Sequence, residues 1–126
     1  MEFELYQGLV EQAPDAIIFA DPAGTIRVWN AAAARLFGLT AGVAIGANLD
    51  CIIPERFRPA HWAGFQRAID AGTTRYSGQV MTTRAVDVGG QRCYVALSFA
   101  LVRDGAGGIV GVMACARSAP APAATG

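Results

Sequence analysis

The fold is decided by one stretch of sequence, DAIIFADPAGTIRVWNAAAARLFG, which runs from Asp15 to Gly38. Its β-branched and aromatic residues at 17–19 favour a half-buried strand, and the Asp-Pro-Ala-Gly sequence that follows is typical of a tight turn. A second strand is predicted over 25–29, with Ile26 and Val28 facing inward and Arg27 outward. Asn30 then caps a helix that ends at Gly38. The stretch predicts two strands joined by a tight turn and followed directly by a helix.

Composition limits the size and the partners of the protein. A chain of 126 residues with a formal net charge of zero is one domain, and it offers no basic stripe for a nucleic acid or an anionic membrane. Its three cysteines are odd in number and far apart, as in a reduced, cytoplasmic protein. The N-terminus carries acidic residues where a signal peptide needs positive charge, and no apolar run is long enough to span a bilayer.

The rest of the chain alternates helix and strand signals around this stretch. The spacing of Phe3, Tyr6, Val10 and Ala13 predicts an amphipathic N-terminal helix. Further predicted elements are a helical turn over 49–53, a helix from about Arg58 to Ala71 closed by Gly72, and strands over 74–88, 92–102 and 109–116. The predicted organisation is an N-terminal helix over 1–13, a domain over 14–117 and a flexible Ala/Pro tail over 118–126.

This order of elements, together with a set of motifs, resembles that of PAS sensor domains over roughly residues 9–117. The motifs are Asp-x-x-Gly-x-Ile-x-x-Trp-Asn, Leu-Phe-Gly, Ile-Ile-Pro-Glu-Arg, the Gly89-Gly90 hairpin and Gly108-Ile-Val-Gly111. The resemblance implies an α+β PAS fold, a five-stranded antiparallel sheet with helices on one side. It also implies a non-enzymatic sensory domain with a downstream signalling domain or protein as partner. The Ser-Ala-Pro after Arg117 departs from the charged linker by which many PAS domains reach a kinase or cyclase.

His61, the one histidine of the chain, is the strongest candidate for binding chemistry. On a helix it shares a face with Phe57, Phe65 and Ile69, so its imidazole is expected to face the core. A buried neutral imidazole needs a partner for each ring nitrogen, and a heme iron is one such partner. The alternative is a half-buried histidine whose nitrogens are satisfied by backbone and water.

A closer resemblance links this helix to heme-binding PAS oxygen and gas sensors, through the Arg-Pro-Ala-His stretch and its spacing to Gly78 and to Gly89-Gly90. It implies heme b as cofactor, a gas or another small molecule as ligand, and gas or redox sensing as function. The implied site has His61 as axial ligand, Arg67 and Arg75 pairing with the propionates, Met81, Leu97 and Phe99 on the distal side, and Trp62 and Phe65 beside the cofactor. At the position of Met81 those sensors have an Arg, which donates a hydrogen bond to bound dioxygen. A Met side chain cannot donate such a bond. Met81 would therefore be a sixth ligand or part of an apolar wall that favours carbon monoxide or nitric oxide.

Simpler interpretations exist for the same residues. Taken singly, Arg67 and Arg75 are most simply interpreted as solvated surface charges. The corresponding interpretation of Met81, Leu97, Phe99 and the cysteines is that they are core residues. A heme-free PAS module would dimerise through its N-terminal helix or sheet face, with the pocket filled by side chains, Trp62 and Phe65 among them, or by a small apolar metabolite. A peroxidase-like heme enzyme would need a distal acid–base pair, which the sequence does not suggest. Flavin photochemistry would need a Cys in Asn-Cys-Arg-Phe-Leu, whereas Cys51 lies in Leu-Asp-Cys-Ile-Ile.

Overall fold

The computed structural model describes residues 2–74 and 79–121, which form one antiparallel sheet and the helices around it. The helices are α1 (Glu2–Glu11), α2 (Ala31–Phe37), α3 (Ala41–Ala44) and α4 (Arg58–Ala71), with 3-10 turns at Leu49–Ile52 and Glu55–Phe57. The strands are β1 (Ala16–Ala20), β2 (Ile26–Trp29), β3 (Met81–Val86), β4 (Arg92–Arg103) and β5 (Ile109–Ala119). Their order across the sheet is β2-β1-β5-β4-β3. The predicted α+β architecture with a five-stranded antiparallel sheet and an N-terminal helix is confirmed.

The core lies on one side of this sheet. Directly opposed residues of neighbouring strands lie on the same face of the sheet. Ile18 opposes Ala114 and Ala116 opposes Leu97, and the registers of the other strands extend this assignment across the sheet. We call this side the inner face; its described strand residues are Ala16, Ile18, Ala20, Ile26, Trp29, Met81, Thr83, Ala85, Cys93, Val95, Leu97, Phe99, Leu101, Val112, Ala114, Ala116 and Ser118. Buried residues of this face pack with Ala33 and Phe37 of α2 and Ala44 of α3. The opposite side of the sheet is the outer face.

The register between β1 and β2 corrects one sequence prediction. It shifts between Phe19 and Ala20, so that Phe19 opposes Val28 while Ala20 opposes Ile26. This irregularity inserts an extra residue into β2 and reverses the alternation there. As a result Ile26 and Trp29 are buried on the inner face, and the prediction that Val28 also faces inward is wrong.

Asn30 fixes the junction between β2 and α2, and its predicted role as helix cap is confirmed. Its side chain accepts a hydrogen bond from the Ala33 amide at 3.0 Å, and its backbone is extended. The same Oδ1 accepts from the Ile17 amide at 2.9 Å, while Nδ2 donates to the carbonyls of Val10 at 2.8 Å and Asp15 at 3.0 Å. One buried amide thus joins the end of α1, the start of β1 and the first turn of α2.

Element boundaries differ from the sequence predictions in several places. Helix α1 ends at Glu11, two residues before the predicted end, and α3 was not predicted. Strand β3 begins at Met81, whereas the prediction began at Thr74 and included residues 75–78, which lie outside the described residues. Strand β5 continues past its predicted end to Ala119, because Ser118 and Ala119 pair with Val95 and Tyr94 of the long strand β4.

Candidate functional site

Helix α4, which carries His61, is fixed at both ends. Its residue Trp62 donates from Nε1 to Asp50 Oδ1 at 2.7 Å. The ring of Trp62 also lies against Gly24, whose φ of 84° and missing side chain leave room for the indole. At the other end, Nη2 of Arg103 donates to the Gly72 carbonyl at 2.6 Å. The structure therefore holds α4 between the β1–β2 turn and the end of β4. The predicted bounds of the helix, a start at Arg58 and an end at Gly72, are confirmed.

His61 is half-buried, and its Nδ1 is buried without a hydrogen-bond partner among the described residues. Its ring lies 4.7 Å from the Trp62 ring and 5.9 Å from that of Phe65, centre to centre. Burial lowers the pKa of His61 below its ordinary value, and the nearby charge of Asp50 opposes this only in part. The imidazole is thus favoured in its neutral form, in which one ring nitrogen carries a free lone pair.

Three sequence candidates from the sheet do come together. Met81 lies directly opposite Leu97 on the inner face, and Phe99 follows two residues along β4 on the same face. All three are half-buried, and Leu97 packs against the main core cluster. Phe65 of α4 is buried, with 9% of its surface exposed. The arrangement gives an apolar wall, and it serves as core or as the lining of a ligand pocket.

The arginine candidates are not brought to His61 in the same way. Arg67 is exposed and its guanidinium lies near Gly64 of the same helix. Six residues along a helix amount to about 600°, which places Arg67 on a different side of α4 from His61. Arg75, the second predicted propionate partner, lies outside the described residues.

A groove along the free edge of β3 was missed by the sequence analysis. Two adjoining cavities open there, with volumes of about 430 and 590 Å³, and both include Phe57 and Arg84 in their walls. His61 lines neither of them. The register of β3 could not be read from sequence, because Met-Thr-Thr-Arg-Ala-Val carries no clear alternation, so no signal indicated which side chains meet at this edge.

Two kinds of feature are absent from residues 2–74 and 79–121. No helix in these ranges has both the length and the apolar content of a membrane span. No three side chains of His, Cys, Asp or Glu gather there in a way that would hold a metal ion.

Comparison with known proteins identifies the class of the domain. A family model described as PAS fold matches residues 10–119. The chain therefore belongs to the PAS fold family, as the motifs predicted, and it is a PAS sensor domain of the kind found in signalling proteins.

Individual relatives add detail to this assignment. The sensor protein FixL of Bradyrhizobium diazoefficiens is 38% identical over 55 residues, which are 44% of this chain and 11% of FixL. The chain thus spans about a tenth of the length of that curated relative. Among solved structures, the PAS domain of a protein from Colwellia psychrerythraea aligns with a TM-score of 0.80 and 16% identity, covering 94% of this chain and 98% of that one. A PAS domain from a two-component sensor histidine kinase aligns with a TM-score of 0.73 and 17% identity, covering 94% and 96%. At these identities the structural matches establish the fold alone.

Proposed function

We propose that this sensory, non-catalytic PAS domain binds heme b through His61 and senses a gas or a redox change. The observation that carries the proposal is the buried Nδ1 of His61, which has no hydrogen-bond partner in the described part of the chain. Buried polar atoms of side chains nearly always have a partner, so this one suggests a group that is missing. The lowered pKa supports the proposal, because iron binds the neutral imidazole. The resemblance of the His61 helix to heme-binding PAS sensors points to the same cofactor.

The other predicted site residues would each have a distinct role toward the heme. When bound, the heme would supply an iron to which a diatomic gas coordinates reversibly. Met81, Leu97 and Phe99 would exclude water from the inner face on the side of the gas, and Phe65 would pack beside the cofactor. The resemblance assigns Arg67 and Arg75 to the propionates, since guanidinium groups pair with carboxylates; Arg67, which projects from a different side of α4 than His61, would have to reach them around the helix.

A displacement of the sheet would have a short path to the N-terminal helix. Asn30 hydrogen-bonds both Ile17 of β1 and the carbonyl of Val10 at the end of α1. A shift of β1 relative to α2 would strain this amide and so change the position of α1. The proposed output of the domain is therefore a change in the orientation of α1, which downstream domains or partners could detect.

The test is an absorption spectrum of protein expressed with a heme precursor, recorded before and after reduction and exposure to carbon monoxide. We expect a Soret band that shifts with carbon monoxide and is absent in His61→Phe. This substitution keeps an aromatic ring beside Trp62 and Phe65 and removes the nitrogen ligand. A protein that is folded by circular dichroism, yet gives no Soret band and does not bind added hemin, would overturn the proposal.

A second candidate function, a heme-free dimerisation module, is favoured by the surface of α1. This helix buries none of its residues, and its large apolar side chains are strongly exposed: Phe3 by 72%, Leu5 by 60%, Tyr6 by 62% and Leu9 by 60%. Such a helix face is typical of an interface with another chain. We propose that a second copy of the domain covers it.

The dimer proposal is tested by the mass of the protein in solution, measured by light scattering after gel filtration. Leu9→Glu should shift a dimer to the monomer, while Gln7→Glu, which adds the same charge at an exposed polar position of α1, should not. A wild-type protein that is monomeric at all accessible concentrations would contradict the proposal that a second copy of the domain covers α1.

A further inference from the structure

The groove along the edge of β3 combines positive charge with apolar walls. Its larger cavity, of about 590 Å³, lies within the roughly 300–1,000 Å³ typical of small-molecule sites. Its walls come from the 3-10 turn at Glu55–Phe57 and from the hairpin of β3 and β4. The lining residues are Pro54, Glu55, Arg56, Phe57, Arg84, Val86, Gly90 and Arg92.

The register of the hairpin places two of these arginines on one face. Arg84 opposes Tyr94, and Arg92 opposes Val86, so all four side chains project from the outer face. Arg84 and Arg92 are therefore diagonal neighbours, whose backbones lie about 7–8 Å apart. Both guanidinium groups extend from neighbouring positions of the same face, and an anion that lies between two like charges removes their repulsion.

No carboxylate of the described chain neutralises these arginines. Arg27 and Arg117 pair with carboxylates at 3.1 and 2.7 Å, and Arg58 lies 3.9 Å from one. Within residues 2–74 and 79–121, by contrast, neither Arg56, Arg84 nor Arg92 has an acidic group within ion-pair distance, although Glu55 is in the same wall. The groove thus presents three guanidinium groups against one carboxylate.

Two of the three guanidinium groups are already held in place. Arg84 donates from Nε to the Tyr94 hydroxyl at 3.1 Å, and its guanidinium lies 5.6 Å from the centre of the Tyr94 ring. The guanidinium of Arg56 lies 4.7 Å from the centre of the Phe57 ring. Side chains that are held in this way lose less conformational entropy when they bind an anion.

We propose that this groove binds a small organic anion with two negative charges and an apolar body. The anionic groups would bind the guanidinium groups of Arg84, Arg92 and Arg56, and the body would pack on Phe57, Val86 and Pro54. The site lies at the edge and outer face of the sheet, and its lining includes neither His61 nor any residue assigned to the heme, so the groove can be tested in protein that holds no heme.

The test is a calorimetric titration with isophthalate, a flat aromatic dicarboxylate. We expect saturable binding that weakens about tenfold in each of Arg84→Gln and Arg92→Gln, since a charged hydrogen bond contributes about 1.5–3 kcal/mol and tenfold corresponds to about 1.4 kcal/mol. Arg27→Gln is the matched control, because it removes the same charge from β2, at the opposite edge of the sheet. It should leave the affinity unchanged. Tyr94→Phe, which removes only the hydroxyl that orients Arg84, should weaken binding by a smaller factor.

Three results would overturn the proposal. The first is a lack of saturable binding by protein that circular dichroism shows to be folded. The second is an equal loss of affinity in Arg27→Gln, which would mean that only the net charge matters. The third is glutarate binding as tightly as isophthalate: it has the same two negative charges at a similar separation and no aromatic ring, so equal affinity would mean that the apolar walls contribute nothing.

Discussion

Asn30→Ala should be among the most damaging single substitutions in this domain. The side chain of Asn30 is 1% exposed and makes four hydrogen bonds, to the amides of Ile17 and Ala33 and to the carbonyls of Val10 and Asp15. Loss of the helix cap costs about 1 kcal/mol. An Ile17 amide left without a partner costs about 1–3 kcal/mol more. With the Asp15 carbonyl also unpaired and the Val10 carbonyl left with only the 3.4 Å bond from the Ala13 amide, we expect a loss of about 3–5 kcal/mol, a large fraction of the ~5–15 kcal/mol that stabilises a typical domain.

The assay is urea denaturation followed by circular dichroism, with Asn48→Ala as the matched control. Asn48 also caps a helical turn, accepting from the Asp50 amide at 2.8 Å, but it is exposed and its side chain makes this single described bond. Its loss should cost about 1 kcal/mol. The difference between the two variants measures the buried network. If Asn30→Ala cost no more than Asn48→Ala, the reasoning that Asn30 joins three elements would be refuted.

The remaining predictions concern the turn between β1 and β2. Gly24→Ala should destabilise the domain more than Gly46→Ala and should change the fluorescence of Trp62. Both glycines have positive φ, but an added Cβ meets the Trp62 ring at Gly24 and nothing within 4 Å at Gly46; equal losses would contradict the contact. The pKa of Asp21 lies below its ordinary value of 3.8, chiefly because its carboxylate accepts from the Thr25 amide. Its stabilising effect is therefore present above pH 3.8 and is lost as the pH falls through the lower folded pKa, so the difference in unfolding free energy between wild type and Asp21→Asn should shrink on acidification. A difference that does not vary between neutral pH and pH 3 would contradict this.

Local signals explain how much of the fold the sequence could predict. The local sequence alone predicted the Asp-Pro-Ala-Gly turn, the Asn30 cap and the glycines that close α2 and α4, because each of these signals acts within a few residues. The register of β2 could not be predicted in this way, because it depends on an irregularity opposite Phe19 and Ala20. The end of β5 likewise depends on β4, which is long enough to pair with Ser118 and Ala119.

For the candidate site, too, the sequence predicted local features and did not predict contacts between distant residues. Helical periodicity was sufficient to place His61 on the same side of α4 as the buried Phe65, and strand alternation was sufficient to place Leu97 and Phe99 on one face. Met81 was grouped with them by the family resemblance, because β3 itself has no clear alternation. Periodicity does not, however, predict which residues surround a given side chain. Whether the His61 nitrogen finds a partner, and whether Arg84 meets Arg92, is decided by residues that are distant in sequence.

The proposed heme site at His61 and the arginine groove would share one element of the sheet, the hairpin of β3 and β4. The heme proposed at His61 would lie against the inner face, whereas the arginine groove lies at the β3 edge, and the hairpin of β3 and β4 contributes to both. Met81 and Leu97 belong to the inner wall, while Arg84 and Tyr94 of the same two strands belong to the groove. A ligand that moves this hairpin at one site must move it at the other, so the two sites should influence each other's affinity by the same factor in both directions. Heme occupancy and isophthalate affinity, measured on one protein sample, are therefore expected to be coupled.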